Sequence, residues 1–74
     1  MAFDYSDLMK RIIDKCGTQY NFAEKLGLSE RSVSLKLNGK VWWKQNEIET
    51  AMEVLEINRE DVGKFFFKPK VQFN

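Results

Sequence analysis

The sequence predicts an all-α domain of five short helices, followed by an extended C-terminal tail. Apolar residues recur at spacings of three and four in successive segments, and glycine, asparagine or proline follows most of these segments. Alternation of polar and apolar residues begins only after Phe67. A chain of 74 residues has room for one small core. We therefore expect residues 1–67 to form one domain and residues 68–74 to form the tail.

The first helix is expected from about Tyr5 to Cys16. Asp4 or Ser6 can cap its start, and Gly17 can end it. With no histidine and no second cysteine in the chain, Cys16 is interpreted as a buried hydrophobe and not as a nucleophile. The stripe expected to face the core contains Tyr5, Leu8, Met9, Ile12, Ile13 and Cys16.

A second, shorter helix is predicted after Thr18, which can act as its N-cap. Phe22, Ala23 and Leu26 fall on one side of this helix and are expected to be buried. Gly27 is expected to end it, because glycine readily takes the left-handed conformation that closes a helix.

The third helix is predicted to begin at Ser29 and to end at Asn38-Gly39. Val33 and Leu37 lie four residues apart and define its inner edge. The second and third helices are then separated by about three residues, which is the arrangement of a helix-turn-helix.

This stretch resembles the helix-turn-helix of the phage Cro and repressor family. The matching residues are Gln19, Phe22-Ala23, Leu26-Gly27-Leu28-Ser29, Val33 and Asn38-Gly39-Lys40. The whole chain is similar to small Cro-like proteins of temperate phages and prophages of Gram-positive bacteria. The resemblance implies a repressor-like fold and a sequence-specific regulator of transcription that binds a double-stranded DNA operator.

If the resemblance holds, the helix from about Ser29 to Asn38 reads the major groove. Arginine can bind guanine, serine can donate or accept, glutamate can accept from cytosine, and an exposed leucine can contact a thymine methyl group. Leu35 could instead pack against Trp42 or Trp43. The predicted base-reading residues are Arg31, Ser34, Leu35 and Asn38, which turn outward, together with Glu30 at the flank.

Charge is distributed unevenly, although the net charge is only +1. Four basic residues and no acid lie between Arg31 and Asn46, whereas six acids and one base lie between Glu47 and Asp61. The basic stretch suits phosphate binding, or it is an ordinary solvated helix face. The predicted phosphate contacts are Gln19, which the family resemblance implies, together with Lys36, Lys40, Lys44 and Trp42.

Adjacent tryptophans follow the third helix. Both cannot face one core from an extended segment, so we expect Trp43 to be buried and Trp42 to be partly exposed.

A fourth helix is expected from Gln45 to Glu56, with an inward stripe and acidic residues elsewhere. Lys44 is a poor N-cap for it. Asn58 can cap a fifth helix that runs to about Phe66. The inward positions of these two helices are Ile48, Ala51, Met52, Leu55, Val62, Phe65 and Phe66.

Lys68-Pro69 is expected to end helical structure, and the following residues alternate like a short strand. This segment could pair with a second copy through Val71 and Phe73 and so form a homodimer. Alternatively, it lies across the helical core or is disordered.

Two functions are compatible with the sequence. The first is the DNA-binding regulator described above. The second is a protein-binding antirepressor that keeps the fold and inactivates a phage repressor through direct contact, using its acidic fourth helix or its aromatic tail. The near-neutral charge and Glu30 in the third helix keep this alternative open beside the DNA-binding regulator.

An enzyme is not expected. The chain has no histidine and no glycine-rich phosphate loop, so we expect no catalytic residues, no metal and no cofactor. No segment approaches the roughly 18 apolar residues of a membrane span, and Asp4 and Asp7 argue against a signal peptide. We expect a cytoplasmic protein.

Overall fold

A computed structural model describes residues 3–71. Within them the chain forms five α-helices, so the all-α prediction is confirmed. A 3₁₀ turn directly precedes the last helix. The helices are α1 (Ser6–Cys16), α2 (Gln19–Leu26), α3 (Glu30–Leu37), α4 (Gln45–Leu55) and α5 (Val62–Phe66), and the 3₁₀ turn is Arg59–Asp61.

The boundaries of α2 and α3 follow from local capping. The hydroxyl of Thr18 accepts a hydrogen bond from the Asn21 N–H at 3.0 Å, and the hydroxyl of Ser29 accepts one from the Ser32 N–H at 3.1 Å. Gly27 has a φ of 74° and closes α2 in the left-handed conformation. The predicted caps and the three-residue connection between the two helices are confirmed.

All five helices contribute to one core. The largest completely buried side chains are Leu8, Ile12, Phe22, Val33, Leu55 and Phe66. Arg11 of α1 donates a hydrogen bond to the Leu55 carbonyl at 3.0 Å, and its guanidinium lies 5.1 Å from the centre of the Phe65 ring. α1 is therefore tied to the end of α4 and to α5 as well as packed against α2.

The predicted core stripe of α1 is too wide. Met9 is 40% exposed and Ile13 is 57% exposed, whereas Tyr5, Leu8 and Ile12 are buried. The other helices cover only the narrower Tyr5-Leu8-Ile12 line, so the flank carrying Met9 and Ile13 faces outward. Local spacing alone does not set the width of the face that neighbouring helices cover.

The predicted cap of α1 also differs in detail. The N-cap position is Tyr5, whose side chain makes no capping hydrogen bond. A hydrogen bond from the Ser6 side chain lowers the pKa of Asp4 below its usual 3.8, and so does the Ser6 N–H, which donates to the Asp4 carboxylate at 2.9 Å.

The C-terminal segment begins by pairing with the N-terminal segment. The Asp4 N–H donates to the Lys68 carbonyl at 2.8 Å, and Phe3 and Pro69 form an antiparallel bridge. Val71 is exposed, whereas Phe73 lies outside the described residues. Pairing of Val71 and Phe73 with a second copy stays a prediction. Across residues 3–71, none of the helices has the length and apolarity needed to cross a membrane.

Candidate functional site

The outer side of α3 carries the residues predicted to read bases. Glu30, Arg31 and Asn38 are exposed, while Ser34 and Leu35 are half-buried. The Asn38 side-chain amide donates to the Ser34 carbonyl at 2.9 Å, so it helps to end the helix. Four of these residues lie on α3 and Asn38 is its C-cap, but the structure does not test their predicted role.

Lys36 was predicted to contact phosphate, and the structure places it inside the protein. Its ammonium lies 3.1 Å from the Glu47 carboxylate and donates to the Trp42 carbonyl at 3.1 Å. A buried, ion-paired ammonium does not reach a phosphate on the surface, so this assignment is wrong. The signal was present in the sequence, because Val33, Lys36 and Leu37 share the i, i+3, i+4 spacing of one helix face.

Glu47 has a second task at the start of α4. Its carboxylate accepts a hydrogen bond from the Lys44 N–H at 2.8 Å. Lys44 is a poor N-cap, as expected, and Glu47 compensates by placing a negative charge in the first turn of α4.

The remaining predicted phosphate contacts are spread over the surface. Lys40, Lys44 and Trp42 are exposed and lie between α3 and α4, whereas Gln19 is half-buried at the start of α2. Their role stays a prediction that the geometry alone does not decide.

Several aromatic side chains form a surface cluster. The ring of Phe3 stacks edge-on against Trp42 at 5.9 Å and against Phe67 at 5.8 Å between ring centres. Trp42 is 58% exposed and Phe67 is 50% exposed. Aromatic rings exposed to this degree are typical anchors of protein interfaces.

Trp43 is buried, as predicted. Its ring packs edge-on against Phe66, with 5.5 Å between ring centres, and lies 6.5 Å from the centre of Phe22. The indole N–H has no hydrogen-bond partner among the described residues.

A groove of about 450 Å³ runs along α4 on the side that faces the 3₁₀ turn and α5. The Arg59 guanidinium makes two hydrogen bonds to the Glu49 carboxylate, at 3.0 and 3.2 Å, at one edge of the groove. These hydrogen bonds and the negative charge of Glu49 raise the pKa of Arg59. The apolar residues that line the groove are Trp43, Ile48, Met52, Val62 and Phe67.

The sequence does not predict this groove, and it assigns three of the lining residues to the core. Ile48, Met52 and Val62 were all predicted to face the core. Met52 is buried, whereas Ile48 and Val62 are only half-buried at the edge of the core. The spacing between α4 and α5 depends on packing between distant segments, so no local pattern reveals it.

The chain belongs to the family described as "Protein of unknown function (DUF739)", which it matches over residues 1–69. Among solved structures, it is similar to the solution structure of the modulator of repression (MOR) of the temperate bacteriophage TP901-1 from Lactococcus lactis. The two chains are 60% identical, the similarity covers 97% of each, and the TM-score is 0.79. No curated protein matches the chain.

This relative overturns the first functional prediction. A relative this similar that is named a modulator of repression fits the protein-binding antirepressor better than a sequence-specific DNA-binding regulator. The prediction of the DNA-binding regulator is therefore wrong. The prediction of a phage regulatory protein agrees with this relative, because the modulator of repression is a regulatory protein of a temperate phage.

Proposed function

We propose that this protein is an antirepressor, which inactivates a phage repressor by binding to it directly. The observation that carries the proposal is the 60% identity, over 97% of both chains, to a modulator of repression. At this level of identity the two proteins are expected to share their fold and most of their core.

The surface chemistry supports a protein partner. Lys36 is held in an internal ion pair with Glu47. The basic stretch between Arg31 and Asn46 therefore has one cation fewer that could contact DNA phosphates. Trp42 and Phe67 are large apolar groups at the surface, and such groups contribute most to affinity when a protein covers them. The net charge of +1 gives DNA little long-range attraction.

The proposal is tested with the repressor of the phage or prophage that encodes this chain and a fluorescently labelled copy of that repressor's operator. The repressor is bound to the operator, and the purified chain is titrated in while fluorescence anisotropy is recorded. We expect the anisotropy to fall as the repressor is removed from the DNA. The control is the chain titrated into operator DNA alone, at two salt concentrations.

Two results would contradict the proposal. One is an unchanged repressor–operator complex at concentrations of the chain far above that of the repressor. The other is tight, salt-sensitive and sequence-selective binding of the chain alone to the operator.

A further inference from the structure

The groove beside α4 continues past the Glu49–Arg59 pair. A smaller hollow of about 150 Å³ shares Glu49, Met52 and Arg59 with it and extends to Glu53 and Ile57. Lining residues on α4 thus run from Gln45 to Glu53. At about 1.5 Å per residue this is about 12 Å, the length of roughly two turns of a helix. We refer to the two hollows together as the α4 groove.

The floor and the rim of the α4 groove differ in chemistry. The floor is apolar, formed by side chains such as Ile48, Met52 and Val62. The Glu53 end of the rim is negative. Glu53 is exposed and makes no salt bridge within residues 3–71, whereas Glu49 is already paired with Arg59.

The 3₁₀ turn that contributes Arg59 to the groove also carries two exposed acids, Glu60 and Asp61. Of the six acids between Glu47 and Asp61, three are paired with cations of the chain, namely Glu47, Glu49 and Glu56. The other three, Glu53, Glu60 and Asp61, make no salt bridge within residues 3–71. A ligand of the α4 groove is therefore favoured if it is apolar along one side and cationic at the end that meets Glu53.

We propose that the α4 groove binds a short amphipathic helix of the repressor, with lysine or arginine next to its apolar face. This inference rests on the proposed antirepressor function and adds the surface that performs it. Helices whose apolar side chains repeat every three or four residues bind in grooves of this kind. A repressor has a surplus of lysine and arginine on the helices that meet DNA, so a cationic helix is available on such a partner.

Phe67 makes the groove continuous with the surface aromatic cluster. It lines the larger hollow, whereas Glu53 lines only the smaller one, and the Phe67 ring also stacks on Phe3. A helix in the groove would cover the exposed half of this ring. Phe67 is thus the expected apolar anchor, and Glu53 is the expected charge contact at the opposite end.

The test uses four single variants of the full chain and isothermal titration calorimetry against the purified repressor. Phe67→Ala and Glu53→Lys change the two ends of the groove. Tyr20→Ala and Glu24→Lys are matched controls, because Tyr20 and Glu24 are exposed on α2, outside the groove. Circular dichroism confirms that each variant folds, which is expected because all four positions are at least half-exposed or on the surface.

We expect each groove variant to weaken repressor binding by about tenfold or more, whereas each control changes it by less than about twofold. Binding by the unaltered chain should also weaken as salt rises, and Glu53→Lys should reduce this salt dependence. If the groove variants bind as tightly as the unaltered chain, the groove assignment is wrong although the antirepressor function stands. If the unaltered chain itself fails to bind the repressor, the proposed function fails and this inference fails with it.

Discussion

The ammonium of Lys36 lies 3.1 Å from the carboxylate of Glu47, and the two side chains are only 6% and 9% exposed. This ion pair joins α3 to the first turn of α4. The Lys36 ammonium also donates a hydrogen bond to the Trp42 carbonyl, and the Glu47 carboxylate also accepts one from the Lys44 N–H. One pair thus fixes the path of the chain between the two helices, where Trp42 turns outward and Trp43 turns inward.

Removing one partner of this pair should be strongly destabilising. Lys36→Met leaves the Glu47 carboxylate buried without its counter-charge, and we expect a loss of about 3 to 5 kcal/mol in the free energy of unfolding. Urea denaturation followed by circular dichroism measures it. Lys25→Met is the control, because Lys25 is exposed on α2 and its replacement should leave stability almost unchanged.

The double variant Lys36→Met/Glu47→Gln should recover part of the loss. It removes both charges, and the glutamine can still accept the hydrogen bond from the Lys44 N–H. Losses that simply add in the double variant would show that the two side chains do not stabilise each other.

Two glycine substitutions should have opposite effects on stability. Gly27 has a φ of 74°, so Gly27→Ala forces a side chain into the left-handed region and should cost about 1 to 2 kcal/mol. Gly63 lies inside α5 with open space around the position of an added Cβ, so Gly63→Ala should stabilise the protein by about 0.4 to 1 kcal/mol. Thermal unfolding of the two variants beside the unaltered chain tests this. The same sign for both would refute the assigned backbone geometry.

Asp4 should titrate below its ordinary pKa of 3.8. Hydrogen bonds from the Ser6 side chain and the Ser6 N–H favour its charged form. Because the pKa is lowered in the folded protein, this contribution to stability is complete above the unfolded value near 3.8 and is lost as pH falls through the folded pKa. In Ser6→Ala the backbone donor remains, so the pKa should return only part of the way. NMR titration of the Asp4 carboxyl carbon measures both values, and an equal pKa in the two proteins would exclude a role for the Ser6 hydroxyl.

The helices were predictable because their ends are determined locally. Thr18, Ser29 and Gly27 each act within one turn of their own position, and their types are suited to those caps. The prediction for Lys36 was wrong because it relied on the positive charge of the side chain and not on its position on the same helix face as Val33 and Leu37. Its partner Glu47 lies eleven positions further along the chain, and no local pattern links the two.

The functional prediction went wrong for a related reason. The residues of α2 and α3 that resemble Cro proteins also build the core and the turn, so they indicate the fold more than the ligand. Met9 and Ile13 show the same limit, since only the neighbouring helices determine that they are left exposed. The α4 groove depends on how α4 and α5 each pack against α1, which the sequence does not reveal.

The central claim is that this protein contacts a repressor directly, without DNA. Sedimentation velocity of an equimolar mixture of the chain and the repressor of the phage or prophage that encodes it, with no nucleic acid present, tests it most directly. The account predicts a new species whose mass equals that of repressor plus bound chain, with little of the free 8.8 kDa chain remaining. Two independent boundaries at the sedimentation coefficients of the separate proteins, at micromolar concentrations, would contradict it.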